Sequence, residues 1–289
     1  MLQSPMPELT YALSPSKPAL QLPAGACDTH VHVFGPGTQF PYAAGRSFTP
    51  ADAGKHTLFA LHRHLGVSRC VIVQSACHGL DNSAVQDAIA AGGGNYLGVA
   101  LVAADVSDGE LARLAGAGFR GVRFNFMRHL AGACIEDVLA LTPRLAAAGL
   151  HLQVHFESSL VHTVGRQLQA SAVPVVIDHM GRVDARLGAG HADFQALMQL
   201  LADQPQFHVK VSGVDRIDSQ PPYAQGKPLA RLLVERFPTQ CLWGTDWPHP
   251  NHTHVPDDGL LVDALADIAP TPALRQALLV DNPQRLYRF

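Results

Sequence analysis

The stretch Val175-Val176-Ile177-Asp178-His179 sets three β-branched residues directly before a carboxylate and an imidazole. A run that is apolar at every position suits a parallel strand buried on both faces, and Val71-Ile72-Val73 repeats the pattern. Working outward, eight such runs are read at 27–34, 70–75, 96–102, 121–126, 151–157, 173–179, 207–213 and 241–247. Helix-like segments lie between them at 57–65, 83–91, 110–117, 135–148, 160–170, 194–204 and 229–237, with 271–286 as a closing helix. Asp81 or Asn82 and Ser107 or Asp108 stand where helix caps are expected. Eight strand–helix units predict an α/β chain folded as a (β/α)8 TIM barrel. A doubly wound sheet is the competitor, but no Gly-x-Gly-x-x-Gly follows the first strand. The expected organisation is an N-terminal arm over 1–22 and a single barrel domain over 23–289.

Composition narrows the function classes. The chain has 289 residues, 47% of them hydrophobic, enough for one large core, and a formal charge of −3 without a basic stripe. Nucleic acid is therefore not an expected partner. No apolar run reaches membrane-span length, and the polar, Pro-rich start lacks signal-peptide order. Five cysteines without a Cys-x-x-Cys pair suit a reduced, cytoplasmic protein, with Cys27, Cys70 and Cys241 buried in strand-like runs. Of the sixteen histidines, His62, His64, His252 and His254 read as surface or loop residues.

In such a barrel the site is built at the C-terminal ends of the strands. His30 and His32, two apart on the first strand, point to the same side. Closure of the barrel brings them to Asp246, in Trp243-Gly244-Thr245-Asp246-Trp247-Pro248-His249. Strand four offers Arg123 and Asn125, strand five His155 and Glu157, strand six Asp178 and His179, and strand seven Lys210 and Ser212. Asp178 reads as a supporting residue, because neighbours on a strand face opposite ways. Imidazoles facing a carboxylate can activate water, with or without a metal, so the expectation is a hydrolase. A ligand-binding protein on the same scaffold is the non-enzymatic rival.

The matching stretches run nearly from end to end: 28–36, 73–79, 120–126, 177–182 and 243–250. On them the chain resembles the amidohydrolase superfamily, in its second amidohydrolase family, and within it the 2-pyrone-4,6-dicarboxylate lactonase branch. The resemblance implies hydrolysis of a small carboxylated, anionic lactone: 2-pyrone-4,6-dicarboxylate to 4-oxalomesaconate in aromatic-compound degradation. Asp246 would be the general base, and His30, His32 and His179 would polarise the carbonyl. Arg123, Arg182 and Arg216, with His155 and Arg128, would bind substrate. The chain departs from the branch at His155 and Phe48, each in place of a Tyr, at Ala76 in place of a Ser, and at His129 in place of an Arg. Those departures keep a sulfonated muconolactone or a sugar-acid lactone in view, and a metal-dependent decarboxylase of the superfamily is the rival chemistry. The branch implies no required cofactor. The superfamily implies a single divalent metal such as Zn²⁺ on His30, His32, His155 and Asp246, and both readings stand.

Overall fold

In the computed structural model, which describes residues 9–127 and 132–289, eight parallel strands follow one another around a single sheet. They are β1 (Cys27–Val31), β2 (Arg69–Val73), β3 (Tyr96–Leu101), β4 (Phe119–Phe126), β5 (His151–Phe156), β6 (Val175–Ile177), β7 (Phe207–Lys210) and β8 (Cys241–Leu242). Helices Lys55–Leu65, Ser83–Ala91, Asp108–Gly116, Ile135–Ala148, Ala192–Asp203 and Gly226–Arg236 connect them, which bears out the (β/α)8 barrel. Period-two alternation divides the core. On β2, Cys70 and Ile72 belong to the large apolar layer shared with the helices, while Val71 and Val73 join Cys27, Leu97, Val99, Val176 and Leu242 in a separate cluster with Tyr287.

The barrel closes between β1 and the segment that follows β8. Thr29 N donates to Trp243 O at 2.9 Å, Asp246 N to His30 O at 2.8 Å, and His32 N to Trp247 O at 2.7 Å. Gly244 permits this approach, since a Cβ there would lie 2.5 Å from His30 N and 2.8 Å from His30 Cβ. Past Leu242 the chain leaves regular pairing, so the strand expected over 241–247 is only two residues long. Buried Asp28 takes over its hydrogen bonding, accepting from Thr245 N at 3.1 Å and Thr245 Oγ1 at 2.7 Å.

Two further expectations are modified. The helix expected over 160–170 is broken into short turns, Ser158–His162, Val164–Gln167 and Leu168–Ala170, with Thr163 between them at φ −118°. Ser158 Oγ and His162 Nε2 both bond Asp193, so tertiary contacts fix the segment. The closing helix is capped by Thr271, whose hydroxyl accepts from Leu274 N at 3.2 Å, and passes through a wider π-type turn over Ala277–Asp281. Pro283, which follows, has no N–H to continue the regular ladder. The described part of the N-terminal arm, residues 9–22, lies against the barrel, with Tyr11 buried edge-on to Trp247 at 5.1 Å.

At the end of the barrel where strands begin, His208 is buried near Arg285. Burial, reinforced by that cation, holds its pKa down to about 4 against an ordinary 6.5. The unfolded chain takes up this proton near 6.5 and the folded protein only near 4, so stability is lost as pH falls through that interval. This one group accounts for up to about 3 kcal/mol. Replacing it, as in His208→Gln, should flatten the acid limb of Tm against pH between those values and leave Tm at pH 7.5 nearly unchanged. Parallel acid limbs for the two proteins would contradict the assignment.

Candidate active site

The residues expected at the strand ends converge. Asp246 Oδ1 lies 3.3 Å from His32 Nε2, 3.7 Å from His30 Nε2 and 3.9 Å from His179 Nε2, and all four side chains are buried. The other oxygen, Oδ2, is held by the Arg216 guanidinium, which also donates to Pro250 O at 3.0 Å. Burial pushes the Asp246 carboxyl up. Arg216, His179, His32 and His30 together outweigh it and hold the group well below the usual carboxylate range. The base candidate is therefore ionised, with one oxygen bound and one facing the imidazoles.

Hydrogen-bond partners constrain the tautomers. His32 Nδ1 is 2.7 Å from Val73 O, which can only accept, so Nδ1 carries a proton. The Nε2 lone pair of a neutral His32 then faces Asp246 Oδ1, acceptor against acceptor, unless a proton or metal ion lies between them. Neither His30 Nε2 nor Asp246 Oδ1 has a hydrogen-bond partner, although both atoms are fully buried. His30, His32 and Asp246 thus present three ligand atoms within 4.8 Å of one another. An imidazole anchored to a backbone carbonyl through its other nitrogen is the usual arrangement of a metal-binding histidine. This donor set fits a divalent ion. His179 differs: its Nδ1 meets Ser212 Oγ at 3.0 Å, and if that hydroxyl donates, Nε2–H points to the site.

Beneath these residues lies a charged network that the sequence showed only as isolated polar positions. Arg123 Nε donates to Asp178 Oδ2 at 2.8 Å, and Asp178 Oδ1 stands 3.3 Å from His30 Nδ1 and 3.8 Å from Lys210 Nζ. Lys210 is wholly buried and donates to Thr29 O at 2.8 Å and Gln153 Oε1 at 2.9 Å. Burial lowers its pKa to about 8, with Asp178 opposing that shift. Burial alone would raise Asp178, yet Arg123, His30 and Lys210 keep it well below the ordinary carboxylate value. A lysine between Val209 and Val211, at the end of β7, was the available signal for this network.

Backbone conformation aims the segments that carry the candidate site residues. His179, Met180, Gly181 and Arg182 all have φ between 50° and 62°, and Asp246 and His249 have φ of 68° and 59°. Non-glycine residues reach this left-handed region at a cost of about 1–3 kcal/mol each, and they concentrate at functional sites. Gly213, at φ 74°, passes so close to His179 that a Cβ there would lie 3.0 Å from the imidazole Nδ1.

A family description, amidohydrolase, matches residues 27–289. The chain belongs to the amidohydrolase family. It is 45% identical to a 2-pyrone-4,6-dicarboxylate hydrolase of Comamonas testosteroni, over 96% of this chain and 95% of that one. It is 37% identical to a 4-sulfomuconolactone hydrolase of Hydrogenophaga intermedia, over 92% and 89%. Among solved structures it resembles a probable 2-pyrone-4,6-dicarboxylic acid hydrolase of Acinetobacter baumannii with citric acid bound. That match has a TM-score of 0.83 and 26% identity, and covers 92% of this chain and 100% of that one.

In this amidohydrolase the centre opens into a narrow pocket of about 60 Å³, lined by His32, Phe48, His155, His179, Arg216 and Asp246 among others. The pocket shares Ala76, Arg123 and Asn125 with a cavity of about 530 Å³, and Arg216 and Asn251 with another of about 650 Å³. His155 is not within ligand distance of the His30–His32–Asp246 group; its ring stands 5.5 Å from that of His179, and its Nδ1 is 3.3 Å from Asn125 Oδ1. Arg182 lines the 650 Å³ cavity and has no hydrogen bond or ion pair among the described residues. Burial, then the neighbouring Arg216, lowers its pKa. Arg128 and His129 lie outside the described residues. His62 is a correction: it is buried, 2.8 Å from Tyr96 Oη and 3.6 Å from Asp28, because the helix Lys55–Leu65 turns it inward.

Proposed function

We propose that this amidohydrolase hydrolyses a small dicarboxylated lactone, with 2-pyrone-4,6-dicarboxylate as first substrate and 4-oxalomesaconate as product. The observation that carries the reading is Arg182, a half-buried guanidinium within electrostatic reach of Asp246, Asp215 and Arg216 that makes no direct hydrogen bond to a carboxylate among the described residues. A cation in that position is costly until an anion reaches it. Arg216 and Arg123 line the narrow pocket and Arg182 the adjoining 650 Å³ cavity, a set of cations that suits a ring with carboxylates at two positions.

Asp246 Oδ1 takes a proton from water as the water oxygen attacks the lactone carbonyl. The oxygen of the tetrahedral intermediate receives a hydrogen bond from His179 Nε2–H, with Ser212 fixing the tautomer. The ring C–O bond then breaks, and the proton on Asp246 passes to the departing oxygen. The products are a new carboxylic acid and an enol that becomes the ketone. Arg216 keeps Asp246 ionised and oriented throughout. A single divalent ion, if held by His30, His32 and Asp246, would add Lewis-acid polarisation of the carbonyl and a more acidic water.

Loss of the pyrone's ultraviolet absorbance on incubation with the protein tests the reading. Turnover of the pyrone is expected, at a higher kcat/KM than for 4-sulfomuconolactone. No turnover of the pyrone from mildly acidic to alkaline pH, with the fold confirmed, would remove that substrate. Carbon dioxide release would point instead to decarboxylation. Arg182→Met is expected to raise KM by at least about tenfold. It should leave the Tm of the free protein nearly unchanged, because Arg182 is half-buried and makes no hydrogen bond among the described residues. A lower Tm would mean that Arg182 is structural.

A further inference from the structure

A second group of imidazoles and carboxylates lies outside the reacting centre. Asp215 and His249 are buried and His252 is half-buried, and their ligand atoms fall within 4.8 Å of one another. His252 Nε2 is 2.6 Å from Asp215 Oδ2, and His249 Nδ1 is 3.9 Å from the same oxygen. The outer nitrogen of each imidazole is already committed. His249 Nε2 is 3.1 Å from Asp258 Oδ1, and His252 Nδ1 is 3.1 Å from His249 O. Those partners accept, so the outer nitrogens donate, and the two inner nitrogens converge on one carboxylate, where a bound ion would take the place of the proton between His252 and Asp215. His249 Nδ1 and Asp215 Oδ1 are fully buried without hydrogen-bond partners.

We propose that Asp215, His249 and His252 form a divalent-metal site, suited to Zn²⁺, that is separate from the barrel centre. Two histidines and one carboxylate are a common zinc set, and their inner atoms have to settle only to separations of about 3.3 Å for tetrahedral binding. The carboxylate behind His249 and the carbonyl behind His252 are the outer partners that orient metal-binding imidazoles. Of the three residues, His252 borders the cavity of about 650 Å³, which is also lined by His254. The ion would tie the loop after β8 to the turn Val214–Ile217. Asp215 is followed directly by Arg216, and His249 N donates to Asp246 O at 2.7 Å, so the site would brace the Arg216–Asp246 pair.

The test uses zinc ion as the probe and needs no substrate. Metal-stripped protein is dialysed against Zn²⁺ and its metal content measured for the wild type, His32→Asn, His252→Gln and the double variant. His32→Asn removes a ligand of the barrel centre, and its remaining equivalent of zinc is expected to disappear in the double variant. Zinc should raise the Tm of His32→Asn but not that of the double variant, and anomalous scattering from zinc-soaked crystals should peak beside Asp215. The amide of His252→Gln can still hydrogen-bond Asp215, so the variant is expected to fold, and its circular dichroism checks this. Equal zinc content in His32→Asn and the double variant would overturn the proposal. So would a lone anomalous peak at His30, His32 and Asp246, which would leave a protonated His252–Asp215 pair in place of the site.

Discussion

Asp246→Asn is expected to lower kcat by at least about 10³-fold, while the protein still folds and melts close to the wild-type temperature. Removing a general base costs about 10²–10⁴ in rate. Here the same carboxylate also balances Arg216 and the surrounding imidazoles, so the loss should fall toward the upper part of that range. An amide can still accept from Arg216 through its oxygen, which preserves the hydrogen bond that places the loop. Steady-state kinetics beside a thermal melt make the comparison. Activity within tenfold of wild type would show that another group takes the proton from water.

Asp178→Ala carries the largest expected stability effect, a loss of about 3–5 kcal/mol, because it leaves buried Arg123 and Lys210 without their shared counter-ion. Asp178→Asn should cost less, since its amide oxygen still accepts from Arg123 Nε. Activity should fall in both, because His30 Nδ1 loses the carboxylate 3.3 Å away that fixes its ring. Urea or thermal unfolding measures the first effect and kcat the second. A destabilisation below about 1 kcal/mol for Asp178→Ala would mean that water compensates the two cations, and that the network is not the dry one described.

Much of this was legible in the chain itself. The β-branched runs around Val71-Ile72-Val73 and Val175-Val176-Ile177 could only be satisfied by burial on both faces, and both became strands. The helices Ser83–Ala91 and Ile135–Ala148 match their expected limits, since each has a continuous apolar face and a glycine directly after its last residue. Less legible was the segment after β5, where the expected helix over 160–170 came out as turns held by Asp193, thirty residues further along the chain. The role of Lys210 was invisible for the same reason. Its partners Thr29, Gln153 and Asp178 come from β1, β5 and the residue after β6, and no local pattern connects them.

His30, His32, His179 and Asp246 were fixed as neighbours by sequence alone, because strand order and period-two alternation leave a closed barrel little freedom in where those side chains meet. Tertiary structure decided how they are used. Val73 O accepts from His32 Nδ1–H and so fixes its tautomer, Arg216 occupies one oxygen of Asp246, and left-handed backbone runs through 179–182. The first two are contacts between segments 41 and 30 residues apart. Local propensity cannot specify them, since the free energy that holds strained backbone and buried charge in place comes from the packed barrel as a whole.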